Sequence, residues 1–312
     1  MGYMSTFTLA NGGYALKRDK ILSRISYAFN TFVLGKELPY LLIVVLTDKC
    51  NLNCFYCESK NSGKYHLSFN QAVKTIKSGY DRGHRALVIT GGEPTLWQDS
   101  GKKLDDLLQI ALNIGYVDIF VYTNGTNYFT SSQCKYIVTI DGTKEIHNKI
   151  RNGSYDRIIQ NIRGAKTSNI YATVTISKNN VNNLEEIIDS IAKENLFKGI
   201  SFNLLTHCKE IVQKYGFTGE ERIELLDRIW AIKKKGYPII FSKAAYKAML
   251  ANNWKRPIKQ IELATRDDLF TCCRDVVNPD VCENCGYSSC VEVSQVLSLK
   301  PSAILEIFRM AE

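Results

Sequence analysis

Residues 50–57, CNLNCFYC, place three thiols on one short stretch of chain. A disulfide consumes thiols in pairs, and a closed tetrahedral zinc site takes four protein ligands. Three thiolates on one loop can instead hold three corners of an iron–sulfur cube and leave the fourth iron open to another ligand. A second group, Cys272, Cys273, Cys282, Cys285 and Cys290, lies near the C-terminus, while Cys134 and Cys208 stand apart. Its spacing suits either a four-thiolate zinc site or an iron–sulfur cluster. Neighbouring side chains seldom reach the same metal, so Cys273 is taken as the ligand and Cys272 as its alternative.

The elements that must position these thiols are legible as alternating patterns. Apolar, β-branched runs at Leu41–Leu46, Ala86–Thr90, Asp118–Thr123, Tyr136–Ile140, Tyr171–Ile176 and Ile200–Leu205 read as strands. Amphipathic stretches at Phe69–Gly79, Lys102–Ile114, Tyr155–Lys166 and Leu184–Lys193 read as helices between them. Such alternation implies parallel strands with crossover helices, and six units make an incomplete barrel or a strongly curved sheet. Functional residues are expected at the C-terminal strand ends. The polar motifs fall there: CNLNCFYC after the first strand, GGEPT (91–95) after the second, TNGT (123–126) at the third, IDGT (140–143) at the fourth and THC (206–208) after the sixth.

At 312 residues, 45% hydrophobic and 23% charged, the chain is long enough for one large barrel with appendages and ordinary for a globular protein. The longest apolar run, residues 40–46, is too short to cross a bilayer, and no apolar h-region follows Met1. The chain reads as cytoplasmic, and ten cysteines there favour metal or cluster ligation over a disulfide framework. The net charge of +9 permits RNA or an anionic lipid surface as partner. It is spread along the chain, and the one dense run, Lys233–Lys235, reads as a solvated helix face, so nucleic acid is not the favoured partner. Residues 13–36 show an apolar stripe, Ile21, Ile25, Phe29, Phe32 and Val33, beside Lys17, Arg18, Lys20 and Arg24. Either a helix packed on the barrel or one lying peripherally in a membrane interface has that pattern. The expected organisation is an N-terminal helical segment, 1–37, a partial barrel, 38–245, and a cysteine-rich segment, 246–312.

The Cys50-x3-Cys54-x2-Cys57 spacing with an aromatic before the last cysteine, followed by Gly91-Gly92-Glu93-Pro94, resembles the radical S-adenosylmethionine (SAM) superfamily over roughly residues 40–205. The resemblance implies an α/β, (β/α)6-type partial barrel. It implies that Cys50, Cys54 and Cys57 bind a [4Fe–4S] cluster whose open iron chelates SAM. An electron from a reductant such as flavodoxin or ferredoxin would then cleave SAM to a 5′-deoxyadenosyl radical, for hydrogen abstraction or addition. It further implies SAM contacts from Glu93 to the ammonium, from Gly91 and Gly92 by close backbone approach, from Tyr56 near adenine, and from Thr123 and Asn124. Thr139 through Arg151 resembles the pattern of the anaerobic sulfatase-maturating enzymes, in which the first hydroxyl and the arginine touch SAM; here Thr139 stands for serine and Asn148 for aspartate.

The C-terminal cysteines, Cys273 (or Cys272), Cys282, Cys285 and Cys290, resemble the SPASM or twitch segments that carry an auxiliary [4Fe–4S] cluster, with zinc as the alternative. Cys208, just past the sixth strand, is placed to return a hydrogen atom to a substrate radical. The N-terminal helix and short cysteine tail look like the adenosylhopene transferase branch, so a lipid-like or other small apolar substrate is expected first. Peptide and tRNA or nucleotide modification are the alternatives, and a non-catalytic SAM- or metal-binding module is a remote one.

Overall fold

The computed structural model describes residues 22–57, 65–206, 209–272 and 279–311. Cys208, Cys273 and residues 13–21 therefore lie outside the described residues. Its centre is an eight-stranded sheet. Strands β1 (Leu41–Val45), β2 (Ala86–Thr90), β3 (Asp118–Thr123), β4 (Lys135–Thr139), β5 (Ile170–Ile176) and β6 (Ile200–Leu204) pair in sequence order, all parallel. These are the six strands expected from the sequence, shifted by a residue at some ends. On the free side of β1 the sheet continues with two further strands. β7 (Ile261–Ala264) is parallel to β1, and β8 (Leu269–Thr271) returns antiparallel to β7. The sheet stays open between β8 and β6, an incomplete barrel.

Helices α1 (Phe69–Arg82), α2 (Leu104–Ile114), α3 (Lys144–Ile150), α4 (Tyr155–Arg163) and α5 (Leu184–Lys193) form the crossovers. The start of α1 is fixed by a capping box, in which Ser68 accepts from Gln71 N and Gln71 accepts from Ser68 N. The strands read LLIVV and ALVIT because the crossovers cover their outer face and leave little exposed edge. Ile76, Leu107, Ile158 and Ile187 from the helices meet Leu42, Leu87, Val121, Val138 and Val174 from the strands in one continuous core. Gly79 is what lets α1 sit that close, because a Cβ there would lie 2.5 Å from Leu42 Cδ2.

After β6 come α6 (Gly219–Lys234), α7 (Lys243–Ala251), α8 (Ser288–Leu297) and α9 (Pro301–Ala311). Helix α7 runs across residues 245 and 246, where the expected barrel and tail meet. Residues 22–33 are helical, α then π, and reach the N-terminal side of the sheet through Arg24, whose NH2 lies 2.7 Å from Asp118 Oδ2. Lys135 flanks the same carboxylate at 3.1 Å. The two cations hold Asp118 below the ordinary carboxylate range against the opposing cost of its burial.

Candidate functional site

The C-terminal ends of β1–β4 bring the sequence motifs together. The loop after β2 docks on the loop after β1, with Gly92 N donating to Thr47 O (2.6 Å) and Glu93 N to Lys49 O (2.8 Å). A side chain at Gly92 would put Cβ 2.5 Å from Lys49 O, and one at Gly91, where φ is +152°, would strike Thr47 O. The two glycines are needed for this backbone-on-backbone contact, which sets Glu93 beside the thiol loop.

Glu93 is fully buried. Its Oε1 accepts from Thr95 N (3.0 Å), Thr95 Oγ1 (2.5 Å) and Thr123 Oγ1 (2.7 Å), and its Oε2 accepts from Asn124 N (2.6 Å). Burial raises its pKa, and these hydrogen bonds oppose the rise. Among the described residues no Lys, Arg or His forms an ion pair with it, and Oε2 keeps a lone-pair direction for a positive donor. Thr123 and Asn124 thus act here as supports of Glu93. Asn124 also donates to Asn51 Oδ1 (2.9 Å) and to Cys50 Sγ (3.7 Å), and Asn51 donates to Thr126 Oγ1 (2.8 Å). Leu52 N is a further donor to Cys50 Sγ, at 3.4 Å. N–H donors of this kind favour a thiolate, although burial raises the Cys50 thiol and pushes Cys54 up to about 11.

The other end of the thiol loop is tied to β4. Tyr56, between Cys54 and Cys57, donates to Asp141 Oδ2. Arg151 Nε bonds the same oxygen at 2.6 Å, and Arg151 NH2 bonds Tyr56 OH at 2.6 Å. Asp141 Oδ1 accepts from Thr175 N at 2.8 Å. His147 shapes the turn, accepting from Asp141 N at Nδ1 (3.2 Å) with Nε2 3.0 Å from Ser154 Oγ. Burial lowers His147 to about 4, so it is neutral at pH 7. Asp141, Asn51 and Thr126 were not among the site residues expected from sequence. Their signal was present only as position, inside or beside motifs at strand ends.

On the inner face of the sheet, Thr139, Thr173 and Ser201 stand in register across β4, β5 and β6, with Thr175 opposite Asn203 in the next row. Their alternates Val138, Ala172, Val174 and Phe202 face the helical core, as the two-residue period requires. The Thr173 hydroxyl is buried with no hydrogen-bond partner.

The C-terminal cysteines lie against the same barrel. Gly286 O accepts from Leu204 N (3.0 Å), Ser288 Oγ donates to Phe202 O (2.5 Å), and Asn203 bridges to Tyr287. Tyr122 of β3 bonds Ser289 and lies beside Cys290. The Cys290 thiol bonds both Cys272 and Cys285; the bond from Cys290 lowers Cys285, while Cys290 itself is driven well above the usual thiol range. Cys282 is within electrostatic reach of Cys285 and Cys272. Cys272, the alternative in the sequence reading, is thus gathered with Cys282, Cys285 and Cys290. Among the described residues no three His, Cys, Asp or Glu side chains are arranged to grip one metal ion directly.

The radical SAM superfamily model matches residues 44–193. The chain is 27% identical over 218 residues to a probable GTP 3′,8-cyclase of Sulfolobus acidocaldarius, covering 69% of this chain and 61% of that protein. It is 36% identical over 94 residues to the probable GTP 3′,8-cyclase of Methanococcus maripaludis, 29% of this chain and 30% of that one. With the sporulation killing factor maturation protein SkfB of Bacillus subtilis it shares 24% over 178 residues, 53% and 42% of the two chains. The chain therefore spans less than two thirds of the length of each. Among solved structures, Streptococcus suis SuiB bound to S-adenosylmethionine superposes with a TM-score of 0.59 at 13% identity over 78% of this chain and 62% of that one. Methylornithine synthase (PylB) superposes with a TM-score of 0.55 at 12% identity, covering 95% and 91%. At such identities the superpositions show the shared fold alone.

Proposed function

Because the chain belongs to the radical SAM superfamily, we propose that it is an enzyme in which Cys50, Cys54 and Cys57 hold the [4Fe–4S] cluster and Glu93 receives the ammonium of SAM. The observation that carries this is the buried Glu93 carboxylate, satisfied by neutral donors and without an ion-pair partner among the described residues, set by two glycines against the thiol loop. When bound, cluster and SAM supply one-electron chemistry that starts from an external reductant. The chain's own part is to fix the loop through Asn124, Asn51 and Tyr56, to keep Glu93 dry and aimed, and to offer Arg151 and Thr139 from the β4 side. Gly91, Gly92, Thr123 and Asn124 complete the cradle.

Anaerobically reconstituted protein given SAM and dithionite should release 5′-deoxyadenosine, and Cys54→Ala should stop it. Release that persists in the variant would overturn the assignment. The C-terminal thiols Cys272, Cys282, Cys285 and Cys290 are proposed to hold an auxiliary metal–sulfur centre, with Cys273 in reserve and zinc as the competing occupant. Cys208, just past the last residue of β6 in sequence, is proposed to return a hydrogen atom to the substrate radical.

For the substrate, the inner row of Thr139, Thr173 and Ser201, with the unpartnered Thr173 hydroxyl, supports a hydrogen-bonding molecule over an isoprenoid. A peptide or nucleotide substrate agrees with that lining and with the relatives, which include SkfB and the cyclases. A second reading, contact with a lipid surface, rests on a different observation. Ile25, Phe29 and Phe32 of the N-terminal helix are 58%, 51% and 40% exposed, and Leu305 and Phe308 of α9 are 61% exposed. Tyr171 OH bonds Met310 O (3.1 Å) and lies near Asp118, which Arg24 binds, so the two elements approach one another. No helix among the described residues is long and apolar enough to cross a membrane. Co-sedimentation with anionic vesicles at low salt tests this reading, and its absence would remove it.

A further inference from the structure

Two arginines converge on one four-residue turn of the C-terminal segment. Arg256 donates from Nε to Cys282 O (2.9 Å) and from NH2 to Glu283 O (2.6 Å). Arg222 donates from NH1 to Asn284 O (3.0 Å) and from NH2 to Cys285 O (2.9 Å). The four consecutive carbonyls of Cys282-Glu283-Asn284-Cys285 are thus each capped by a guanidinium. Arg222 is buried, and its Nε has no hydrogen-bond partner. Arg256 stacks on buried Trp254, 3.8 Å from the ring centroid. Neither guanidinium has a carboxylate ion-pair partner among the described residues.

Burying positive charge without a counter-ion is expensive, and a main-chain carbonyl supplies only a dipole. No carboxylate among the described residues supplies the balancing negative charge, and deprotonated Cys282 and Cys285 would provide it at the ends of this same turn. A four-thiolate centre carries about two negative charges whether it holds zinc or an oxidised cube. Two guanidiniums would balance it. We propose that Arg222 and Arg256 are the counter-charge and the frame of the C-terminal metal–thiolate centre, positioning residues that hold its Cys282–Cys285 turn and set its affinity and potential. This rests on the reading of Cys272, Cys282, Cys285 and Cys290 as metal ligands.

The test uses the full chain with Cys50, Cys54 and Cys57 replaced by Ala, so that only the C-terminal centre is loaded. Metal content and metal release to a chelator are measured for Arg222 and Arg256 each replaced by Gln and by Lys. The expected loss of affinity for Gln is on the order of 10- to 100-fold, the range for groups that support metal ligands. Lys, which restores the charge but not the fork on two carbonyls, should recover part of it. With iron bound, the midpoint potential of the Gln variants should fall, because removing a nearby cation favours the oxidised, less negative centre; Lys should restore it. Unchanged affinity and potential in both Gln variants would overturn the arginine roles while leaving the centre intact. No metal at all in the parent chain would overturn the centre and with it this proposal.

Discussion

The two thiol groups are held in opposite ways. The loop of Cys50, Cys54 and Cys57 is fastened by side chains reaching from neighbouring strand ends: Asn124 and Thr126 after β3, Asp141 and Arg151 after β4. The C-terminal turn is fastened by its own backbone, paired to β6 at one side and gripped by two arginines at the other. The first arrangement leaves a buried carboxylate waiting for a cation, and the second leaves one buried and one half-buried cation, Arg222 and Arg256, waiting for an anion. A site that must admit and release a charged small molecule and a site that keeps a resident anionic centre would differ in this way.

The sharpest way to break that comparison is to remove thiols from one side at a time. Cys54→Ala should abolish 5′-deoxyadenosine release while the C-terminal centre keeps its metal, and Cys285→Ala should remove that metal and lower the thermal midpoint of the loaded protein. Loss of both centres in either variant would show that the two regions are not separate.

Next in size is Asp141→Asn. It strands Arg151, whose NH2 also holds Tyr56, in a buried setting, and breaking such a pair costs about 3–5 kcal/mol. Urea unfolding of the apo protein reads this directly. Metal content at the C-terminal turn should not change, since the described partners of Asp141 are Tyr56, Arg151, His147, Thr175 and Asn180.

The third prediction concerns pH. Glu292 of α8 accepts from Ser242 N at 2.6 Å, and its Oε2 is buried without a partner. Burial pushes its pKa up to about 7; Glu306 adds to the rise, while the Ser242 bonds and Lys233 oppose it. The folded state therefore binds this proton more tightly than the unfolded chain, whose ordinary value is 4.5. The contribution is in place below the unfolded value and is lost as pH climbs through about 7. Glu292→Gln should flatten that part of the stability profile, by on the order of 1–3 kcal/mol between pH 5 and about 8. An unchanged profile would show that Glu292 is ionised in the fold.

The smallest effect is expected at the N-terminal helix. Ile25→Ser and Phe29→Ser change exposed side chains, so stability should move by less than about 0.5 kcal/mol. If vesicle binding exists, it should weaken in the same variants. A large loss of stability would show that this face is covered by something in the folded protein.

Much of this protein was determined by its sequence alone. Six apolar runs became β1 to β6 because parallel strands, with crossover helices over them, bury most of their surface and advertise it as continuous Val, Ile and Leu. The thiol loop and GGEP fell at strand ends because βα turns are where polar and glycine residues interrupt those runs. Strands β7 and β8 were not legible: IELA and LFT are too short to show a period, and β7 exists because it completes the edge of β1, more than two hundred residues earlier. The tertiary structure also decided that Asp141 and Arg151 grip Tyr56, that Cys272 joins the C-terminal thiols, and that Arg222 and Arg256 meet on one turn. Local periodicity reports which face of an element is buried. Which charged group will find which partner depends on chain segments brought together only by the fold, where desolvation makes each such pairing decisive.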